Sequence, residues 1–441
     1  MSIAHPLRSH CRKLFLQESF GSYLFKRTGL AKPVLACLLA WTGFGSLGAD
    51  EWTRFRGPNG SGECEADGIP VTWGEKDYLW KVKLSGTGKS SPVIWDNRVY
   101  VTSADDTDAK QFVSCVNVID GSNLWQRSFP GKVYEKNVLN SFAAATPALD
   151  RDHIYLAWTT PEEYTIVALD QQTGKDAWQR SLGPFAAQHG FGASPIVFKD
   201  MLIVPNDQDG ASSLIALDCR TGNTRWTAPR RNTIAAYSTP FVYSGKNGSP
   251  ELILTSNANG ISSFDPYTGE LHWELSVMKY RAVGSPIVGS GLIFAACGEG
   301  AGGKQMFAVQ PPDASKNHSA KVAYNVDAKL PYVVTPVAYG TLIFLWTDQG
   351  IVSCLDAETG KKLWQQRVDG KYYGSPIRIR DRLYCISREG QVVVIAAADK
   401  YKLLGQTKLN EPSQSTPAVS GGVLFLRTES QLLAVGKKKV P

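Results

Sequence analysis

The sequence predicts an all-β fold, a single eight-bladed β-propeller of four-stranded antiparallel blades. Three observations carry this expectation. A Ser/Thr-Pro step followed by alternating apolar residues recurs eight times. Short strands separated by Gly and Asp turns follow each step in one order. No stretch of the chain sustains the i, i+3, i+4 spacing of a helix.

The steps stand at Ser91-Pro92, Thr146-Pro147, Ser194-Pro195, Thr239-Pro240, Ser285-Pro286, Thr335-Pro336, Ser375-Pro376 and Thr416-Pro417. Their spacings are 55, 48, 45, 46, 50, 40 and 41 residues, and a propeller blade takes about 40–50. Blade three shows the unit. Pro195–Phe198 meets a turn at Lys199-Asp200 and returns as Met201–Val204. A polar loop, Asn206–Gly210, leads to Ser213–Asp218, and Trp226 opens the fourth strand after Thr221-Gly222.

The junction between third and fourth strands is the most specific element. It reads Asp170…Gly174…Trp178, then Asp218…Gly222…Trp226, Asp265…Gly269…Trp273 and Asp356…Gly360…Trp364. Asp accepts N–H bonds within a turn, Gly takes the positive φ of a tight reversal, and Trp fills space between blades. Blade one keeps a shortened form, Asp120-Gly121…Trp125. Blade five has Tyr324 and blade seven Leu403-Leu404 in place of Trp, so weaker junctions are expected there.

Blade eight runs out of chain after Gln431–Val435 and lacks a fourth strand. Tyr78–Leu84, upstream of blade one, is an orphan strand with its own Trp80. Pairing the two closes the ring and removes both exposed edges.

These residues resemble the tryptophan docking motif of the PQQ-repeat (pyrrolo-quinoline quinone) propellers, Ala-x-Asp-x-x-Thr-Gly-x-x-x-Trp. The resemblance covers about residues 78–436, with four near-complete copies. The run Trp52–Gly62 also resembles the lead-in of bacterial exported members of that family.

Charge is unevenly placed. Residues 1–49 hold six Lys/Arg against one acid, and the remainder holds 41 bases against 39 acids, three of the bases in the tail Lys437–Lys439. A body this close to neutral lacks the footprint of nucleic-acid binding. The leader reads as a secretory signal: Lys26, Arg27 and Lys32 precede the apolar Pro33–Trp41 and a small-residue exit through Ala49. The expected division is a signal peptide over 1–49 with cleavage near 48/49, a lead-in over 50–77, the propeller over 78–436 and a basic tail over 437–441. Cleavage leaves no transmembrane segment and an exported chain in the periplasm or cell envelope, and the alternative is a leader kept uncleaved as an amphipathic anchor. Cys37 stands before most of the apolar core, which argues against lipidation there. Six cysteines then remain, Cys64, Cys115, Cys219, Cys297, Cys354 and Cys385. Sequence cannot choose among their pairings, and several sit within apolar strands as small hydrophobes.

Propeller ligands bind at the channel mouth, on the face of the fourth-to-first and second-to-third strand loops. The rim candidates are Lys89, His189, Tyr237, Tyr280, Arg281, Tyr332 and Tyr373, joined by Asn140 and Gln414. Aromatics beside bases either stack on a flat anionic ligand or line a solvated channel as the fold alone requires. Asp207-Gln208-Asp209-Gly210 reads as a turn, since it lacks the further ligands of a calcium loop. The histidines have no metal-ligand spacing, and neither catalytic residue nor metal ligand is assigned.

The resemblance implies two functions. One is a non-catalytic binding or scaffold module of the envelope with protein partners, like the BamB-type scaffold of the outer-membrane β-barrel assembly machinery, with no cofactor. The other is a PQQ- and calcium-dependent quinoprotein alcohol dehydrogenase. Similar dehydrogenases carry a vicinal disulfide and longer insertions that this sequence lacks, which favours the first.

Overall fold

Eight blades of four antiparallel strands are built in a repeated up-and-down order, and one of them gains a short fifth, parallel strand from the lead-in. The computed structural model describes residues 51–436, apart from 233, 246–247, 301 and 314–318. The signal-peptide expectation over 1–49 and the basic tail lie outside the described residues.

Blades one to seven each take four consecutive strands: 93–129, 148–181, 196–230, 241–275, 287–325, 337–367 and 377–408. Blade eight takes three, 418–420, 423–427 and 431–436, and Tyr78–Lys83 supplies its fourth. The closing pair is antiparallel, with Trp80 opposite Ala434 and Val82 opposite Leu432. The expected latch is therefore present.

Inner strands are mostly apolar and buried because both faces are covered. Met201–Asn206 is buried along its length, whereas the outer Asp176–Ser181 alternates exposed with half-buried. Apolar clusters fill the gaps between neighbouring blades. Tyr100, Val113 and Cys115 of blade one pack on Ile154, Leu156 and Val167 of blade two. Phe344, Val352 and Cys354 do the same against Leu383, Val393 and Ile395. The cysteines serve as such small apolar residues. All six are buried and no disulfide is present among the described residues.

The junction motif works between blades. Asp170 Oδ1 accepts the N–H of Thr173 at 2.7 Å and its hydroxyl at 2.7 Å, and Gly174 turns with φ 67°. The Trp of one blade lies on the Gly of the next. A Cβ on Gly222 would come within 2.7 Å of the Trp178 ring. Indole N–H groups then donate across the gap, Trp125 to Gln171 O at 3.0 Å, Trp178 to Cys219 O at 2.8 Å and Trp364 to Ala398 O at 3.0 Å, whereas Trp273 donates to Glu251 Oε2 within its own blade at 2.9 Å. Tyr324 keeps this geometry in blade five, lying over Gly360 and donating to Ala357 O at 2.5 Å.

The Ser/Thr-Pro step has a role that its recurrence did not disclose. Its hydroxyl accepts the backbone N–H of the matching residue one blade earlier. The links run Ser91 to Thr146, Thr146 to Ser194, Thr239 to Ser285, Ser285 to Thr335, Thr335 to Ser375, Ser375 to Thr416, and Thr416 back to Ser91, at 2.9–3.2 Å. A girdle of hydroxyls thus ties the blades around the channel. Proline follows each one, holding the start of the first strand at a fixed φ where no ladder N–H is needed.

Candidate functional site

The lead-in enters the channel as a loop from the face opposite the mouth. Trp52 bridges Ile94 of blade one through N–H and carbonyl, at 3.0 and 2.8 Å, and Thr53 O accepts from Leu149 N at 2.8 Å. The chain reverses through Gly57–Gly62 and descends as Glu63–Cys64, parallel to Arg378–Ile379 of blade seven. Asn59 meets Val242 of blade four by both amide atoms, at 2.6 and 3.0 Å.

Two buried arginines anchor this plug. Arg56 is fully buried, and its guanidinium donates to Gly60 O, Ser61 O, Thr335 O, Pro336 O and Pro376 O at 2.8–3.2 Å. Arg54 donates to Pro240 O. Burial pulls both guanidiniums down to about 9, so they remain cations at neutral pH. Their contacts are carbonyl oxygens.

Phe55, at the top of this loop, floors a cavity of about 480 Å³ that opens at the mouth. All eight residues of the Ser/Thr-Pro steps line it. Above them stand Lys89, Asn137, Leu139, Asn140, His189, Tyr237, Lys304, Tyr332, Asp348, Gln349, Tyr373 and Gln414. The structure therefore brings together Lys89, His189, Tyr237, Tyr332 and Tyr373 from the sequence candidates. It does not place Tyr280 and Arg281 on this wall. Tyr280, in the connection between blades four and five, lies against Gly303 of blade five. Arg281 is buried behind the wall, donating to Ala235 O at 2.9 Å and Gln188 Oε1 at 3.3 Å, with its guanidinium 5.9 Å from the Tyr237 ring centre.

Lys89 Nζ donates to Leu139 O at 2.6 Å and, with the Gln414 amide oriented to satisfy both ends, to Gln414 Oε1 at 2.9 Å. Burial lowers its pKa to about 8. The same cause lowers His189 from its ordinary value, with Arg281 adding to it, and raises Tyr237 to about 12. Across the cup, Asp348 holds Lys304 at 2.9 Å and accepts the N–H groups of Tyr332 and Val333 at 3.1 and 2.9 Å.

Sequence reasoning missed Phe55 and Lys304. Phe55 carried one signal, an aromatic residue between two arginines in a Gly-rich run. Lys304 carried none, since its position depends on the twist of the second hairpin of blade five. In Asp207–Gly210, Asp207 is buried against Arg230 Nε at 2.6 Å and Asp209 accepts the N–H groups of Gln188 and Ala235, at 2.7 and 2.5 Å.

A family model described as outer membrane protein assembly factor BamB matches residues 109–324 and 348–438. The chain belongs to this family. Among curated proteins, tetrathionate hydrolase of Acidithiobacillus ferrooxidans is 25% identical over 247 residues, which is 53% of this chain and 46% of that protein. The chain thus spans under half the length of that relative. Among solved structures, BamB from Moraxella catarrhalis superposes with a TM-score of 0.58 at 15% identity, over 82% of this chain and 98% of that one. Quinohemoprotein alcohol dehydrogenase from Comamonas testosteroni gives 0.59 at 15%, over 89% and 82%. At these identities the two structures share the fold.

The sequence resemblance to quinoprotein dehydrogenases implies a calcium-held quinone, and the cup's donor set does not fit one. Calcium takes six to eight oxygens, several of them carboxylate. Asp348 is the carboxylate on the wall, and both its oxygens are engaged by Lys304 and two N–H groups.

Proposed function

We propose that this chain is an exported binding or scaffold propeller of the cell envelope, engaging a partner from the face that carries the mouth. The filled channel supports this reading best. The lead-in closes the far side with main-chain pairing to blades one, two and seven and side-chain hydrogen bonds to the main chain of blades four and six, leaving a rigid blind cup whose one carboxylate is already capped. A rigid cup set among loops is a preorganised surface for docking. Membership of the BamB family and the basic-then-apolar leader point the same way.

Two measurements test it. Thermal unfolding with and without pyrrolo-quinoline quinone plus calcium is expected to show no shift, and dye-linked alcohol oxidation no turnover. A ligand at 100 times its Kd would add about 2.7 kcal/mol, so a clear shift with dye reduction would replace this reading by the quinoprotein one. A photo-crosslinker at Val138, 88% exposed on the loop beside the mouth, is expected to capture a protein in intact envelopes. The same group at Leu271 on the outer rim is expected to capture none.

A further inference from the structure

We propose that the cup binds an acidic group, a carboxylate, held by the Lys89 ammonium and the hydroxyls of the Ser/Thr girdle. This rests on reading the chain as a binding module and names the chemistry of its site.

The first support is Lys89 itself. Its Nζ is held by two neutral oxygens, Leu139 O and Gln414 Oε1, and no carboxylate pairs with it among the described residues. Glu429 and Asp106 lie near enough to favour its charge, and Lys136 and Arg388 oppose it. Asp106 is itself engaged by the Thr87 hydroxyl at 2.7 Å. An ammonium has three donors, so one remains for the cavity. A half-buried cation with neutral partners gains more from an incoming anion than an exposed one does.

The second support is the girdle. A hydroxyl that accepts a backbone N–H keeps its own proton to donate. Ser91, Thr146, Ser194, Ser285, Thr335 and Ser375 all accept in this way, as does Thr416, and all line the cavity. The cup is therefore ringed by hydroxyls that each already accept one backbone N–H and retain an O–H to donate.

The third support lies beneath the floor. Arg56 is a buried cation whose guanidinium donates to five carbonyls, and Arg54 is a buried cation that donates to Pro240 O with its Nε unpaired among the described residues, so neither charge is cancelled by a carboxylate in contact. The opposing charge on the wall, Asp348, is muted by Lys304 and two N–H groups. The field along the channel axis favours an anion entering from the mouth.

The acidic group could arrive on a small free acid or on an acidic segment of a partner protein, and two probes separate these. Citrate and an acetylated tetraglutamate amide are titrated calorimetrically into the wild-type propeller at low salt, with tetraglutamine as the neutral control. Binding of citrate alone assigns a free acid, binding of the peptide an acidic segment, and tetraglutamine is expected to bind at least tenfold more weakly. Lys89→Gln is expected to weaken whichever probe binds by at least tenfold. A second readout needs no variant: the bound probe is expected to slow acylation of Lys89 at least fivefold, leaving exposed lysines unchanged. The proposal is overturned if neither probe binds, if tetraglutamine binds equally, or if binding leaves Lys89 acylation unaltered. Crosslinks at Val138 that survive such a result would retain the binding module and remove only the acidic group.

Discussion

Arg56 shows how much one residue can hold. Its five carbonyl contacts join two ends of the lead-in loop to blades six and seven. Only a planar guanidinium presents five donors in that fork, and an ammonium has three on a mobile stem. Each buried carbonyl left unpaired costs about 1–3 kcal/mol. Arg56→Lys is therefore expected to lose at least about 2 kcal/mol of unfolding free energy in urea, and Arg56→Met more. Arg225→Gln supplies the contrast. Arg225 also makes two ion pairs, to Asp200 and Asp218, but it is 45% exposed, and such a change is expected to cost under about 1 kcal/mol. Equal losses in the two variants would mean that the plug contributes no more than a surface pair.

The turn carboxylates make a second prediction at this scale. Thr173 holds the Asp170 carboxyl below its ordinary range by its hydroxyl, and Thr359 does so for Asp356. A folded pKa below the unfolded one gives stability that is present above about pH 4 and lost as pH falls through the folded value. Thr173→Val and Thr359→Val together are expected to flatten the acid limb of a stability-against-pH curve below pH 4. The neutral plateau should fall as well, because the bonded carboxylates contribute there. An unchanged acid limb would place the acid sensitivity elsewhere.

At the level of the element, the blade junction was legible and the girdle was legible only as a marker. Asp, Thr-Gly and Trp lie within nine residues, and each has a local reason for its place. The hydroxyl of Ser194, by contrast, serves the N–H of Thr146, and nothing near Ser194 in sequence announces that partner. Two glycines turn the junction argument into numbers. Gly222 and Gly183 both have positive φ, 70° and 87°. A Cβ at Gly222 would strike Trp178, whereas at Gly183 it would meet open space. Gly183→Ala is expected to cost about 1 kcal/mol from backbone strain alone. Gly222→Ala adds displacement of the indole and loss of its bond to Cys219 O, and should cost about 2 kcal/mol more. Equal unfolding midpoints would mean that the indole shifts freely and that the Trp-on-Gly contact does not lock the blades.

For the whole molecule, closure depends on residues before blade one to a degree that the sequence reading understated. The latch strand was legible because blade eight lacked a partner and Tyr78–Leu84 lacked a blade. The plug was not, because Arg54 and Arg56 bind main-chain carbonyls some 180 to 320 positions away, and a carbonyl leaves no mark on residue identity. Nor was the repair of blade seven. Where its Trp is missing, Ile69, Val71 and Trp73 pack into the seam with blade eight, Leu404 resting against them. Trp73 N–H donates to Thr407 Oγ1 at 3.2 Å. One continuous segment, 52–83, therefore fills the channel, mends the weakest seam and supplies the last strand.

These three tasks should fail together. Val82 stands opposite Leu432 in the latch, and proline there removes a ladder hydrogen bond and disturbs the pairing. Gln366, paired with Val352 in the outer strand of blade six, occupies the comparable position, two residues after the junction Trp, with no further duties. Hydrogen exchange distinguishes the two. Gln366→Pro is expected to raise exchange within blade six only. Val82→Pro is expected to raise it in 431–436, and also in 52–64 and 69–73, because the latch, the seam and the plug share one stretch of chain. Exchange confined to blade eight would show that the plug holds the channel on its own contacts, with the Arg56 fork sufficient to keep it seated.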